Sequence, residues 1–280
     1  MPEGHTLHRL AREQRKLFAG RPVRVSSPQG RFADGAAQLD GHVLRATEAY
    51  GKHLLHYYRD APTLHVHLGL YGKFTTGAGS PPEPVGALRL RLQAGEAWTD
   101  LRGPTACELL EPAEVAGLFS RLGPDPLRPD ADPARAWQRI HRSRVSIAAL
   151  LMDQAVLAGI GNVYRAELLF RHRIDPFLPG QALPLASWEA MWLDLVALMR
   201  HGVRVGRIET VRPAERVRKR GPLAPDEARY VYRRHGLPCR ICGTEVRIEM
   251  LVGRKLYWCP SCQAPGFSRV GRLNNPQPYD

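Results

Sequence analysis

The chain lacks any run of apolar residues near the ~18 that a membrane-spanning helix requires. Its first residues carry Glu3, Arg9, Arg12 and Arg15, where a secretory signal would be apolar. Together these absences predict a cytoplasmic protein without a membrane partner. Cysteine is scarce, five in 280 residues, too few for a disulfide-stapled secreted scaffold and in keeping with a reducing compartment. Acidic residues are in deficit: 27 Asp+Glu face 40 Lys+Arg, a formal charge of +13 at pH 7. That imbalance favours a polyanionic partner, whose phosphates are neutralised with release of counterions. No internal repeat is present.

The excess charge is uneven. Nine of the thirteen net positive charges lie from His201 onwards, so that end is expected to meet phosphate. The length suits two or three domains rather than one core. Near the start, Leu7, Leu10, Ala11, Leu17 and Phe18 share a helical face and Gly20 ends the run. Alternating stretches follow at Val23–Val25, His53–Tyr58, Leu64–Leu68 and Leu88–Leu92, which predict an antiparallel β-sandwich. The proline-bearing insert Gly77–Gly86 reads as a loop between strands. A stiff linker begins at Leu122-Gly123-Pro124-Asp125-Pro126-Leu127, where neither helix nor sheet can continue.

Beyond the linker the pattern is helical. Asp132 caps a helix from Pro133 through Ile140, others run over Ser146–Met152 and Asn162–Arg171, and Ser187 is expected to cap an apolar helix through Met199. The stretch Arg204–Arg229, with Arg216-Val217-Arg218-Lys219-Arg220, reads as a mobile basic loop, and residues 270–280 as a disordered tail. The fold class is multidomain α+β. Its expected divisions are a sandwich over 1–122, a linker over 123–134, a helical domain with its basic loop over 135–229, a cysteine module over 230–265 and a tail over 266–280.

Three local features carry chemistry. Removal of Met1 would make Pro2 a chain-terminal secondary amine, a nucleophile that no internal proline offers; its attack on a sugar C1′ yields an iminium ion, and Glu3 beside it could shuttle protons. Cys239-x-x-Cys242 and Cys259-x-x-Cys262, sixteen residues apart, offer four thiolates in two knuckles, the donor set of one closed tetrahedral structural zinc; an iron-sulfur site is the alternative. Arg240, Arg247, Arg254 and Lys255 lie within this module, which suits contact with phosphate. Gly159-Ile160-Gly161-Asn162 opens a helix and presents N–H groups to an anion, although such a turn is also an ordinary helix connection. Cys107 stands alone and reads as a small buried side chain.

Pro2-Glu3-Gly4, Gly51-Lys52, the linker Leu122–Leu127, the run Asp153–Glu167 and Cys259-Pro260-Ser261-Cys262-Gln263 together resemble the formamidopyrimidine-DNA glycosylase and endonuclease VIII family, in order from residue 2 to about residue 263. The resemblance implies an N-terminal β-sandwich with a leading helix, a helix-two-turns-helix domain and a zinc-finger hairpin. It also implies a monomeric base-excision enzyme that flips a damaged nucleotide out of duplex DNA, removes the base and cuts the strand. Pro2 would attack the sugar and β-elimination would follow, with δ-elimination a further possibility. Glu3 would be the general acid/base, Lys52 would protonate the sugar side or hold the adjacent phosphate, and Asn162 and Arg254 would grip the phosphates flanking the flipped nucleotide.

Gly69-Leu70-Tyr71 resembles the endonuclease VIII loop that pushes Leu and Tyr into the vacated gap, whereas the other reading makes Leu70 and Tyr71 core residues at a strand end. Leu101-Arg102-Gly103-Pro104 is a poor match to the loop with which formamidopyrimidine enzymes fill that gap, so oxidised pyrimidines are expected over 8-oxoguanine. Two departures stand out: Thr6 replaces a common second glutamate, and Ala155 a common lysine. A non-catalytic DNA-binding zinc protein is the rival from another class.

Overall fold

In the computed structural model the chain forms two compact units, Met1–Arg121 and Leu122–Asp280; residues 2–216, 221, 223–224 and 226–264 are described. The first unit opens with α1 (Gly4–Phe18), whose Leu7, Ala11 and Phe18 are buried as their spacing predicts. Eight strands follow: β1 (Arg24–Ser26), β2 (Leu44–Tyr50), β3 (His53–Tyr58), β4 (Thr63–His67), β5 (Lys73–Ala78), β6 (Leu88–Ala94), β7 (Ala97–Arg102) and β8 (Ala106–Leu110). They make two antiparallel sheets, ordered β1-β6-β7-β5 and β2-β3-β4-β8. Leu44, Leu54, Leu64 and Val66 of one sheet share a core with Val25, Leu90, Leu92 and Leu101 of the other and with α1. Short helices α2 (Ala33–Leu39) and α3 (Pro112–Ser120) complete the unit.

Alternation locates β3 and β6 well and misses β2, β5, β7 and β8. The reason for β7 is instructive. Its Asp100 is fully buried, which reads against a strand in sequence, yet Arg91 donates to both its oxygens at 2.6 and 2.9 Å and Arg102 donates at 3.0 Å. A buried carboxylate persists only with such partners. The same arginines fix the proline insert: Arg91 donates to the Pro82 carbonyl at 2.7 Å and Arg102 to that of Val85 at 3.3 Å. The strand before this insert runs to Ala78, so Gly77 belongs to β5 rather than to the loop.

His56 of β3 faces the core with no exposure, and neither ring nitrogen has a hydrogen-bond partner among the described residues. Burial alone lowers its pKa from 6.5 to about 4. The unfolded chain therefore binds a proton between those values that the folded chain refuses, so stability falls as pH drops through 6.5 and levels off below about 4. His56→Leu is expected to remove about 2 kcal/mol of the stability difference between pH 7 and pH 5, read by urea unfolding. An unchanged pH slope would show that His56 is not the acid-sensitive group.

The second unit holds α4 (Pro133–Ile140), α5 (Ile147–Leu150), α6 (Asn162–Arg171), α7 (Leu185–Val205) and the hairpin β9 (Arg247–Leu251) with β10 (Arg254–Trp258). Asp132 caps α4 by accepting from Ala134 N–H at 2.9 Å, and Pro133 takes the first helical position. The expected start of α7 needs correction: Ser187 lies inside the helix, which begins after Pro184. At its other end α7 passes Arg204 and stops at Gly206, whose φ of 76° ends it in the left-handed conformation. The basic stretch therefore begins helically. Its far side is held where Thr210 N–H donates to the Ala228 carbonyl at 2.8 Å. Val217-Arg218-Lys219-Arg220 and the tail 266–280 lie outside the described residues.

Ile140, Leu168, Trp188, Leu195 and Leu198 form the helical core, which also receives Leu256 of the hairpin. A second cluster joins Val163, Ala166 and Phe170 of α6 to Cys239, Cys259 and Cys262. Helices and cysteine module thus belong to one body. Among the described residues no helix is long and apolar enough to cross a membrane.

Candidate functional site

In the first unit Pro2 is half-buried and immediately precedes α1. Glu3 is the residue before the helix, in extended conformation with no exposure, and its carbonyl accepts from Thr6 N–H at 2.8 Å. The apolar face of α1 is sunk into the sandwich core, and Thr47 of β2 donates to the Ala11 carbonyl at 2.5 Å. Residues 2 and 3 are therefore presented by a helix that has little freedom to move. Thr6, the departure noted in the sequence, directs its hydroxyl to His5 Nε2 at 3.3 Å.

Gly51 and Lys52 form the two-residue turn between β2 and β3, closed by the Tyr50–His53 pair. Gly51 has a φ of 56°, which suits such a hairpin turn. Lys52 stands by two histidines: burial first, then His65, His67 and Lys52 depress the His53 pKa to about 3, and burial with His65 and Lys52 lowers that of His67. His53 Nδ1 lies 2.9 Å from His65 Nε2, and His65 Nδ1 lies 2.9 Å from Glu108 Oε1. The Glu108 carboxylate can only accept, so His65 donates from Nδ1 and accepts from His53 Nδ1–H at Nε2. The neighbours of Lys52 are thereby held neutral. Sequence reasoning passed over this chain, although His53, His65 and His67 at alternate positions of paired strands were its visible sign.

Leu70 and Tyr71 do not belong to the core. They occupy a turn between β4 and β5, Leu70 44% and Tyr71 86% exposed. Both flanking glycines are required. Gly69 has a φ of 64°, and a Cβ there would fall 1.8 Å from Thr105 Oγ1; one on Gly72 would fall 2.3 Å from the Leu68 carbonyl oxygen. A tight turn thus pushes two apolar side chains into solvent. Arg102, by contrast, is held by Asp100 and the Val85 carbonyl.

In the second unit Gln154 braces the loop before α6: its amide donates to the carbonyls of Met152 and Ile160 at 2.9 and 3.0 Å and its oxygen accepts from Gly159 N–H at 3.0 Å. Asn162, 5% exposed, opens α6, donates to the Lys255 carbonyl at 2.7 Å and accepts from Arg165. Arg254 is exposed at the start of β10, one residue before that carbonyl. The helix turn and the hairpin are brought together at this point.

Glu167, also missed in the sequence reading, ties them further. Fully buried on α6, it accepts from the N–H groups of Tyr230, Val231 and Tyr232 at 2.7, 2.9 and 2.8 Å, and from the Thr210 hydroxyl.

The four cysteines Cys239, Cys242, Cys259 and Cys262 have all Sγ atoms within 4.8 Å of one another. Two pairs are 3.9 and 3.5 Å apart. Tetrahedral zinc with Zn–S bonds of ~2.3 Å needs sulfurs about 3.8 Å apart, so the cluster has the size and donor set to hold one metal ion. Cys107, the remaining cysteine, is half-buried on β8, and burial pushes its thiol up to about 12. It is not part of this cluster.

Comparison with known proteins agrees with this arrangement. The Formamidopyrimidine-DNA glycosylase N-terminal domain family matches residues 1–107, and the Formamidopyrimidine-DNA glycosylase H2TH domain family matches residues 122–213. Endonuclease 8 1 of Mycobacterium bovis is 58% identical over 268 residues, covering 94% of this chain and all of that protein. Endonuclease 8 of Escherichia coli is 30% identical over 272 residues, with the same coverage. Lactococcus lactis Fpg, solved in complex with an abasic site containing DNA, superposes with a TM-score of 0.78 at 21% identity, over 94% of this chain and all of that one. The chain belongs to the formamidopyrimidine-DNA glycosylase and endonuclease 8 family of base-excision DNA glycosylases.

Proposed function

We propose that this protein removes oxidised bases, pyrimidines in preference to 8-oxoguanine, from DNA and then cuts the strand at the resulting abasic site. The observation that carries this reading is the Pro2-Glu3 pair held at the head of a buried helix. Once Met1 is gone, the Pro2 nitrogen adds to C1′ as the C1′–base bond breaks and the base leaves with a proton. The resulting aminal gives up its N–H proton and opens, the C1′–O4′ bond breaking as O4′ takes a proton, to leave an iminium. Its positive nitrogen acidifies the C2′ proton, whose loss expels the 3′ phosphate by β-elimination. Glu3 takes and returns the protons. Lys52, with neutral His53 and His67 beside it, supplies the positive charge at the sugar or its neighbouring phosphate. Asn162 and Arg254 hold the flanking phosphates, and one zinc ion on the four thiolates would stabilise the finger that carries Arg254.

The lesion preference rests on the exposed Leu70-Tyr71 turn, suited to fill the gap left by an everted nucleotide, and on the internal pairing of Arg102, which leaves the competing loop without a free guanidinium. The test is borohydride trapping on duplexes containing thymine glycol or 8-oxoguanine. A covalent adduct at residue 2, formed at least ~10-fold faster on thymine glycol, is expected, since ~1.4 kcal/mol of preference gives that factor. No adduct on either duplex would refute the chemistry, and a reversed preference the lesion class. Leu70→Ala with Tyr71→Ala is expected to slow duplex cleavage by about 10²-fold, equivalent to ~3 kcal/mol of lost eversion energy. Cleavage of the lesion in single-stranded DNA, already unstacked, should change far less.

A further inference from the structure

Helix α4 presents Arg135, Gln138 and Arg139 on its exposed side, while Ala136 and Ile140 are buried on the other, and Arg142 is exposed in the turn that follows the helix. These four residues, with Gly123, Pro124 and Ala155, line a cleft of about 540 Å³. Gly123 is bare backbone by necessity: a Cβ there would fall 2.3 Å from the Val156 carbonyl oxygen, and its N–H donates to the Gln154 carbonyl at 2.9 Å. Arg139 Nη1 donates to the Ala155 carbonyl at 2.7 Å, which locks the helix to the loop that ends at Asn162.

Among the described residues none of the three arginines has an ion-pair partner. The nearby acids are committed elsewhere: Asp125 Oδ1 accepts from Leu127 N–H, Asp132 Oδ1 from Ala134 N–H and Asp153 Oδ1 from Ala155 N–H, while Asp130 pairs with Arg128. A concave surface with three guanidiniums outside any ion pair, and with only Pro124 and Ala155 as apolar lining, is poorly suited to an apolar small molecule and well suited to phosphate. From Arg135 to Arg139 the helix rises ~6 Å, and Arg142 extends the charged surface past its end. A row of this length meets more than one phosphate of a strand, whose charges recur every ~3.4 Å of axial rise. A lone anion would leave most of it unused.

We propose that Arg135 and Arg139 of α4, with Arg142 in the turn after it and Gly123, Pro124 and Ala155 beside them, form a second phosphate cradle that holds the DNA backbone beside the Asn162 loop. Ala155 brings no cation of its own to the cleft, and Arg135, Arg139 and Arg142 supply its charge. This rests on the reading of the chain as a DNA glycosylase.

The experiment measures affinity of the full-length protein for an abasic-site-analogue duplex between 50 and 200 mM salt, about the range where phosphate neutralisation dominates. Arg135→Gln with Arg142→Gln keeps the Arg139–Ala155 bond; a second variant adds Arg139→Gln. Each phosphate that is no longer neutralised is expected to lower the slope of log affinity against log salt by about 0.9, so roughly 2 for the double variant and up to 3 for the triple. Arg12→Gln with Arg15→Gln on α1 removes as much charge elsewhere and is expected to leave the slope within about 0.5 of wild type. Wild type that binds and traps DNA, with α4 variants that keep its slope or fall no further than the α1 control, sinks the cradle alone. Wild type that binds no duplex sinks the cradle and the enzyme reading together.

Discussion

A form of the protein that retains one residue ahead of Pro2 is expected to lose borohydride trapping on abasic DNA by at least ~10³-fold, a barrier increase of ~4 kcal/mol. The reason is electronic. Acylation turns the proline nitrogen into an amide whose lone pair is delocalised into the carbonyl, and an iminium can no longer form there. The extension is a sharper test than Pro2→Ala, because alanine at the start of the chain still offers a primary amine and so a slower imine. DNA affinity should fall only a few-fold, because the charges that meet phosphate are elsewhere. Trapping and affinity measured side by side therefore separate chemistry from recognition. Undiminished trapping in the extended form would remove Pro2 from the mechanism.

Stripping the proposed zinc from the four thiolates is expected to have the second largest effect. Structural zinc in finger peptides contributes on the order of 10 kcal/mol of apparent binding energy, which is folding energy for the segment it holds. Here Cys239, Cys259 and Cys262 pack in one cluster with Val163, Ala166 and Phe170 of α6, so a chelator would strip part of the packing from that helix as well. Chelation should release one zinc per chain, measured by a colorimetric zinc assay. It should weaken abasic-duplex binding by about 10²-fold, equivalent to ~3 kcal/mol. The His56-dependent unfolding of the sandwich should persist. Cys259→Ser is expected to reproduce this, and full affinity in metal-free protein would show that the thiolates serve another purpose.

Much of the fold was legible because its signals are local. Asp132-Pro133 announces α4, the apolar spacing of Leu7, Ala11 and Phe18 announces α1, and His53–Tyr58 alternates as a half-buried strand must. The strands that escaped notice depend on partners distant in the chain. Asp100 is tolerable in β7 only because Arg91 and Arg102 reach it. Polar β5, with Lys73, Thr75 and Thr76 exposed, offers only Phe74 to the core and so shows no alternation.

The site divides in the same way. Pro2, Glu3 and the four cysteines carry unusual chemistry in the residue itself or in its spacing. The Glu108–His65–His53 chain and the Glu167 carboxylate are ordinary residue types that acquire meaning only through register and burial. The exposure of Leu70 and Tyr71 also had to be seen, since the same letters describe a strand end or a wedge.

The Glu167 carboxylate has a consequence for how this protein can be rearranged. Three consecutive amides leading into the cysteine module terminate on one side chain of α6, and Asn162 of the same helix fastens the hairpin from the other direction. The finger is thus no detachable cassette. A graft exchanging fingers between relatives has to carry α6 with it, because the amides of an incoming segment would otherwise find no acceptor to meet them.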